Sequence, residues 1–274
     1  MCASRTTART KVSGNATKPL ARRQNNTVAE QALYEPLNTL KPVGPEIWIA
    51  DGPPVPFYGI GFPTRMTVVR INGRLWVHSP IALDEGLLNE MADLGPIGWL
   101  IAPNPIHYVS VHLWHDRFPQ AQVLAAPGVK ERAAKYNIPF PKHVVMGDDV
   151  PVGTEGVLRQ RLVKGHRFLH EVVFYHIPSK TLILTDLIEN FEAAKVGRFK
   201  AILMRLAGIL DPDGKAPADM RGTFKSKAKA RKTIREVISW APEKVILSHG
   251  RWYDHNGTAE LKRAFRWLRI ENGK

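Results

Sequence analysis

Two stretches of this chain are built alike, and that repetition restricts the fold more than any other feature. In each, short apolar strands joined by tight turns run into amphipathic helices. The first opens with EIWIADG, FYGIGF, RMTVVRI and RLWVHSP, the last two separated by Asn72-Gly73. Asn-Gly between apolar runs predicts a hairpin, because both residues tolerate the positive φ that a tight turn needs. LDEGLLNEMADLG then reads as a helix with Leu87, Leu88 and Met91 on one face and Gly95 as its stop. IGWLIA is a buried strand, HYVSVHLWHDRF a helix, AQVLAA a strand and PGVKERAAKY a helix. The second stretch gives the strands EVVFYH and KTLILTD around Ile177-Pro178-Ser179, then the helix FKAILMRLAGIL with Phe199, Ile202, Leu203, Leu206 and Leu210 in one stripe. After a Pro/Gly/Asp loop over residues 211–224 come the helix KAKARKTIREVISW, with Ile234, Val237 and Ile238 inward, the strand EKVILSHG and the helix TAELKRAFRWLRI. Two such halves predict an α+β fold of two sheets with helices outside them, a four-layer αββα sandwich.

Three of the apolar strands end in groups that can bind metal. IGWLIA runs into Asn104 and His107, KTLILT ends in Asp186, and KVILS ends in His249. Ligands gather beyond the carboxyl ends of strands in open α/β sheets. Singly, Asp186 would serve as a turn cap, His249 as a satisfied core histidine and His107 as a solvated helix start. Their shared placement predicts that they converge. Cys2 is the one cysteine, so neither a disulfide framework nor a cysteine zinc cluster is available. That usage fits a reducing intracellular, cytoplasmic setting.

The order of elements, with the phrases PNPIH, EVVFYHIPSKTLILTD and VILSHG, resembles the metallo-β-lactamase-fold hydrolases over roughly residues 45–270. The likeness is nearest to a domain-of-unknown-function branch of that superfamily. There a strand runs into His-x-His-x-Asp-His. Here APNPIH puts Ala102, Asn104 and Ile106 at the first three positions and keeps His107. The resemblance therefore implies loss of the first metal site and retention of the second, with His107, Asp186 and His249 as ligands of one divalent ion. Two imidazoles and a carboxylate suit Zn²⁺ with an open position, and also Fe²⁺ or Mn²⁺. Asn104 is expected to orient water or polarise a carbonyl, and Glu171 to act as a general base or fourth ligand. His166, in Lys164-Gly165-His166, matches the family's Gly-His turn, but its usual metal partners are gone; it and His170 are expected to be structural. His78, His112, His115, His143, His176 and His255 have no motif support and are expected on the surface or in packing.

The expected function is a single-metal hydrolase of a small ester, lactone, thioester or phosphoester. The alternative is a non-catalytic module on an eroded hydrolase fold that binds a small acidic ligand. Nucleic-acid processing is a weaker third reading. The net charge is +14, and it is uneven. Residues 1–29 hold no acid, and Lys225, Lys227, Lys229, Arg231, Lys232 and Arg235 form a second block. Such surfaces bind nucleic acid weakly and without sequence preference. Residues 1–33 lack periodic apolar positions and read as a disordered basic tail, or as a transit peptide for organellar import, before a single domain over residues 34–274. No apolar run reaches the ~20 residues of a membrane span.

Overall fold

Asn72 and Gly73 both take positive φ, 50° and 74°, and Ile71 pairs with Arg74 across them. The expected hairpin is therefore closed by the expected turn. A computed structural model describes residues 34–57 and 60–270; the predicted basic tail lies outside the described residues. The first sheet starts with β1 (Lys41–Gly44), β2 (Ile47–Phe57), β3 (Ile60–Ile71) and β4 (Arg74–His78), each antiparallel to the next. Helix α1 (Glu85–Leu94) then carries the chain to β5 (Ile97–Ala102), α2 (Val111–Arg117) to β6 (Gln122–Ala125), and α3 (Val129–Lys135) to β7 (Val144–Val145). These last strands add in parallel, giving the order β1-β2-β3-β4-β5-β6-β7. Parallel neighbours need such crossovers, which is why helices appear only from β4 onward.

The second sheet holds β8 (Leu158–Val163), β9 (Glu171–His176), β10 (Thr181–Ile183) and, after α4 (Ala193–Val196), α5 (Arg198–Ala207), α6 (Ala218–Gly222) and α7 (Lys227–Ser239), β11 (Lys244–Ile246). Its order is β11-β10-β9-β8. Helix α8 (Gly257–Ala264) and a 3-10 turn (Arg266–Leu268) close the described chain.

Side-chain alternation along β9 shows how the layers stack. Val172 and Phe174 join Trp76, Leu100 and Ile101 of the first sheet in one core. Val173 and Tyr175 point the other way, into a second core with Ile234 and Val237 of α7 and Leu261 of α8. On the first sheet, Leu87, Met91, Val111, Trp114 and Val129 supply the helical cover. Each such side chain stabilises the fold by ~1.5–3 kcal/mol when fully buried. The result is the four-layer αββα sandwich.

Several local expectations change. FYGIGF is not a strand of its own: Phe57 ends β2 and Ile60 begins β3. Strand β8 is additional to the expected elements, its apolar ends masked by Arg159, Gln160 and Arg161; Gln160 is buried because its amide donates to the Gly147 carbonyl at 3.1 Å. Helix α2 begins at Val111, so His107 stands on the loop before it. Of the expected stripe, Phe199, Ile202, Leu203 and Leu206 lie on α5 and face outward, whereas Leu210 lies beyond the helix end and is buried. Only Met204 of that helix is buried, packed with Phe62, Phe191, Val196, Ile209 and Leu210. The basic block on α7 is partly structural, since Arg231 Nε donates to the Leu268 carbonyl and Arg235 Nε to that of Ile270. Among the described residues, no helix is long and apolar enough to cross a membrane.

Candidate metal centre

Strands β10 and β11 run parallel, with Thr181 opposite Lys244 and Ile183 opposite Ile246. The same register, carried three residues past each strand, sets Asp186 opposite His249. Leu184 N still donates to the Ile246 carbonyl beyond the strand end. Further on, Asn190 N donates to the His249 carbonyl. Gly250 makes this closeness feasible: its φ is 88°, and a β-carbon there would meet Asn190 O at 2.2 Å. Two of the three candidate ligands thus follow from ordinary sheet register.

His107 arrives from the other sheet, off the end of β5. Asn104 folds this loop. Its side-chain oxygen accepts from Ile106 N at 2.7 Å and His107 N at 3.0 Å, an Asx turn extended by one residue. Its amide nitrogen reaches Asp186 Oδ2 at 2.6 Å, Thr185 Oγ1 at 2.7 Å and Glu171 Oε2 at 3.2 Å. One fully buried asparagine therefore presents His107 and braces Asp186 together.

The ligand atoms form a small triangle. His107 Nε2 lies 3.2 Å from Asp186 Oδ1 and 3.2 Å from His249 Nε2, and His249 Nε2 lies 3.3 Å from Asp186 Oδ1. Bonds of about 2.0–2.2 Å to a tetrahedral ion require ligand separations of roughly 3.3–3.5 Å. The orientation of the rings also fits. His249 Nδ1 is 2.8 Å from the Pro63 carbonyl. A carbonyl only accepts, so Nδ1 carries the proton, and in the neutral ring Nε2 turns its lone pair to the centre. His107 Nδ1 is held by Ser79 Oγ at 2.7 Å. With its own lone pair inward, His107 would face another lone pair at 3.2 Å, a repulsion that a cation between them relieves. The three residues fit one divalent ion.

Electrostatics agree. Burial works to raise the pKa of Asp186, but the charges and hydrogen bonds of His107 and His249 outweigh it and hold the carboxylate well below its usual range. Glu171 behaves oppositely. Burial, then the neighbouring charge of Asp186, pushes it up to about 7 against hydrogen bonds from Thr185 and Asp186.

The arrangement separates the expected site residues by duty. Glu171 does not face the triangle with a free oxygen. Its Oε1 accepts from Thr185 N at 2.7 Å, and its Oε2 accepts from Asp186 N at 3.0 Å. It clamps the loop that carries Asp186. Asn104 is equally engaged, its Oδ1 by the backbone of residues 106 and 107 and its Nδ2 by Asp186, Thr185 and Glu171. His166 lies elsewhere: its Nδ1 accepts from Phe168 N and Leu169 N, and its Nε2 meets Thr223 Oγ1 at 2.6 Å. His78 and His176 are buried in packing.

Sequence reasoning missed the supports under His249. Arg65 is buried, opposite Asp51 in the β2–β3 register, and its Nε donates to Asp51 Oδ1 at 2.8 Å. Its Nη1 donates to the carbonyls of Leu247 and Gly250 at 2.7 and 2.9 Å, gripping the loop on both sides of His249. Phe62 meets the His249 ring edge-on at 5.3 Å. Strand alternation carried a signal: Asp51 is in phase with buried Ile47 and Ile49, and Arg65 with Val69 and Ile71. Glu189 was also missed. It is buried with Oε2 unpartnered, and burial pushes its carboxyl up to about 8.

Residues 46–202 match the family model described as Domain of unknown function (DUF4336). A search of curated proteins gave no match. Solved structures do match. A metallo-β-lactamase from Pontibacter korlensis is 15% identical, with 84% of this chain and 98% of that one covered at a TM-score of 0.58. A metallo-β-lactamase from Hirschia baltica is 13% identical, with 86% and 98% covered at 0.56. The metallo-β-lactamase FIM-1 from Pseudomonas aeruginosa, in its mono-zinc form, is 13% identical, with 84% and 96% covered at 0.57. At these identities what is shared is the fold. By its matched sequence the chain belongs to the DUF4336 family, and by its architecture it is a domain of unknown function with the metallo-β-lactamase fold.

Proposed function

We propose that the chain is a mononuclear metal-dependent hydrolase of a small ester, lactone, thioester or phosphoester. The observation that carries this reading is the triangle of His107 Nε2, Asp186 Oδ1 and His249 Nε2, with edges of 3.2–3.3 Å and both rings oriented from behind. Zinc is the ion that two imidazoles and one carboxylate suit best, with iron or manganese next. A divalent ion held there supplies Lewis acidity, which polarises a carbonyl or phosphoryl group and acidifies water.

The chain's own residues do the rest. Pro63 fixes the tautomer of His249, Ser79 holds the His107 ring from behind, Asn104 presents His107 and braces Asp186, and Glu171 clamps the backbone of residues 185 and 186.

A second reading, a small-molecule binding module without turnover, is favoured by one observation: the polar atoms of Asn104 and Glu171 are already engaged inside the protein. Elemental analysis of protein purified without added metal, beside a His107→Ala/His249→Ala variant, tests the site. About one ion per chain in the parent and little in the variant is expected; equal contents would remove the site. A panel of esters, lactones, thioesters and phosphoesters at full metal occupancy then divides the readings. Hydrolysis lost in the variant supports the enzyme, and none on a broad panel favours the binding module.

A further inference from the structure

Helix α5 presents an apolar stripe to solvent. Phe199 is 75% exposed, Ile202 60%, Leu203 49% and Leu206 77%. They recur at the i, i+3, i+4, i+7 spacing that places side chains on one face. Isolated exposed hydrophobics are ordinary, but four large ones in a contiguous stripe mark an interaction surface. The helix is not displaced from its packing. Met204 anchors its inner side among Phe62, Phe191, Val196, Ile209 and Leu210, with Ala201 and Ala207 packed against that cluster.

The charges around the stripe select the partner. Lys195, Arg198, Lys200 and Arg205 lie in this segment, and no acid occurs between Glu192 and Asp211. At ~100° per residue, Arg198 and Arg205 border one edge of the stripe and Lys200 the other. This is an apolar face with cationic margins, in which long basic side chains reach outward while their stems lie along the apolar surface. A second copy docked face to face would oppose like charges across a two-fold axis. The chain's own first 29 residues are also basic and hold no acid, so they do not complement it either. An anionic bilayer satisfies both features, receiving the apolar residues at the acyl boundary and the basic margins among the headgroups.

We propose that the outward face of α5 docks this protein onto the surface of a membrane containing anionic lipid. The docking is peripheral and independent of the hydrolase reading.

The test is sedimentation of the full chain with vesicles of phosphatidylcholine alone and of phosphatidylcholine mixed with phosphatidylglycerol. Binding is expected to the mixed vesicles and at least ten-fold weaker binding to the neutral ones. Phe199→Ser/Leu206→Ser should lower partitioning at least ten-fold, and Arg198→Gln/Arg205→Gln should erase the preference for anionic lipid. All four side chains are exposed, so both variants should keep the parent's circular dichroism and metal content. Equal binding of the apolar variant and the parent would assign membrane binding to other basic segments and overturn the proposal. So would equal binding to both vesicles, no binding to either, or a dimer in lipid-free sedimentation velocity that Phe199→Ser/Leu206→Ser dissolves.

Discussion

His249 donates from Nδ1 to the carbonyl oxygen of Pro63 across 2.8 Å, so a residue at the end of one sheet is oriented by a strand of the other. The bond leaves Nε2 as the ring's outward lone pair. Replacing His249 by Asn keeps a polar side chain but withdraws that atom from the triangle. Metal content should fall from about one ion per chain to near zero, read by elemental analysis, while circular dichroism is preserved. Retention of the ion would place it elsewhere.

Arg65→Met removes the grip on Leu247 and Gly250 and leaves buried Asp51 with Lys41 at 2.8 Å as its remaining partner. Breaking one side of a buried ion pair costs about 3–5 kcal/mol, measurable by urea unfolding. Loss of support behind a ligand typically lowers metal affinity ~10–100-fold. Adding Asp51→Leu should recover much of the stability and none of the affinity. Full recovery of both would show that Arg65 acts on the fold alone.

Glu171→Gln substitutes an amide for one of the two oxygens that accept from the Thr185 and Asp186 backbone. A clash of donors follows at one of them, at a cost of about 1–3 kcal/mol. Metal affinity should drop ~10–100-fold, with any activity returning at saturating metal. A rate that stays low at full occupancy would instead make Glu171 a direct participant.

Removal of metal by chelation should lower Tm. An ion present at 1,000 times its Kd stabilises the folded state by about 4 kcal/mol, and ~2–4 °C per kcal/mol applies to a domain of this size. A fall of roughly 10 °C, reversed on adding the ion back, is expected by calorimetry. The His107→Ala/His249→Ala variant should show no such response.

His78 supplies a pH dependence. It is buried between the stacked ring of Trp76 and the edge of Phe174, with Nε2 unpartnered. Burial, aided by His107, pushes its pKa from 6.5 down to about 3. The unfolded chain then takes up a proton below pH 6.5 that the folded chain refuses. Stability is complete above 6.5 and falls progressively toward pH 3. At pH 5 the loss from this residue is about 2 kcal/mol. His78→Leu should remove that part of the slope in a series of melting curves from pH 7 to 5; an unchanged slope would clear His78.

Much of this was legible in the sequence because it rests on local rules. Asn72-Gly73 dictates its turn whatever surrounds it, and the apolar strands ending at His107, Asp186 and His249 pointed to one place. What was not legible depends on partners far away in the chain. Whether Phe199, Ile202, Leu203 and Leu206 face inward or outward is not set by their spacing, which is the same either way. The duties expected of Asn104 and Glu171 followed from chemical type, whereas their actual engagement depends on the backbone of residues 185 and 186 being within reach. Arg65 left a trace in strand phase, but its targets at Leu247 and Gly250 lie more than 180 residues away.

Asp186 and His249 hang from neighbouring strands, so their separation is set by a lattice of backbone hydrogen bonds and changes little while that sheet survives. His107 hangs from the opposite sheet. An ion shared by all three would therefore be a rivet between two plates. A slip of one plate by an ångström would open the triangle on the His107 side and leave the other edge intact. Ion affinity then becomes a gauge of how the sheets are seated, so a substitution deep in their shared core, at Phe174 or Trp76, would register as weaker metal retention without touching a ligand.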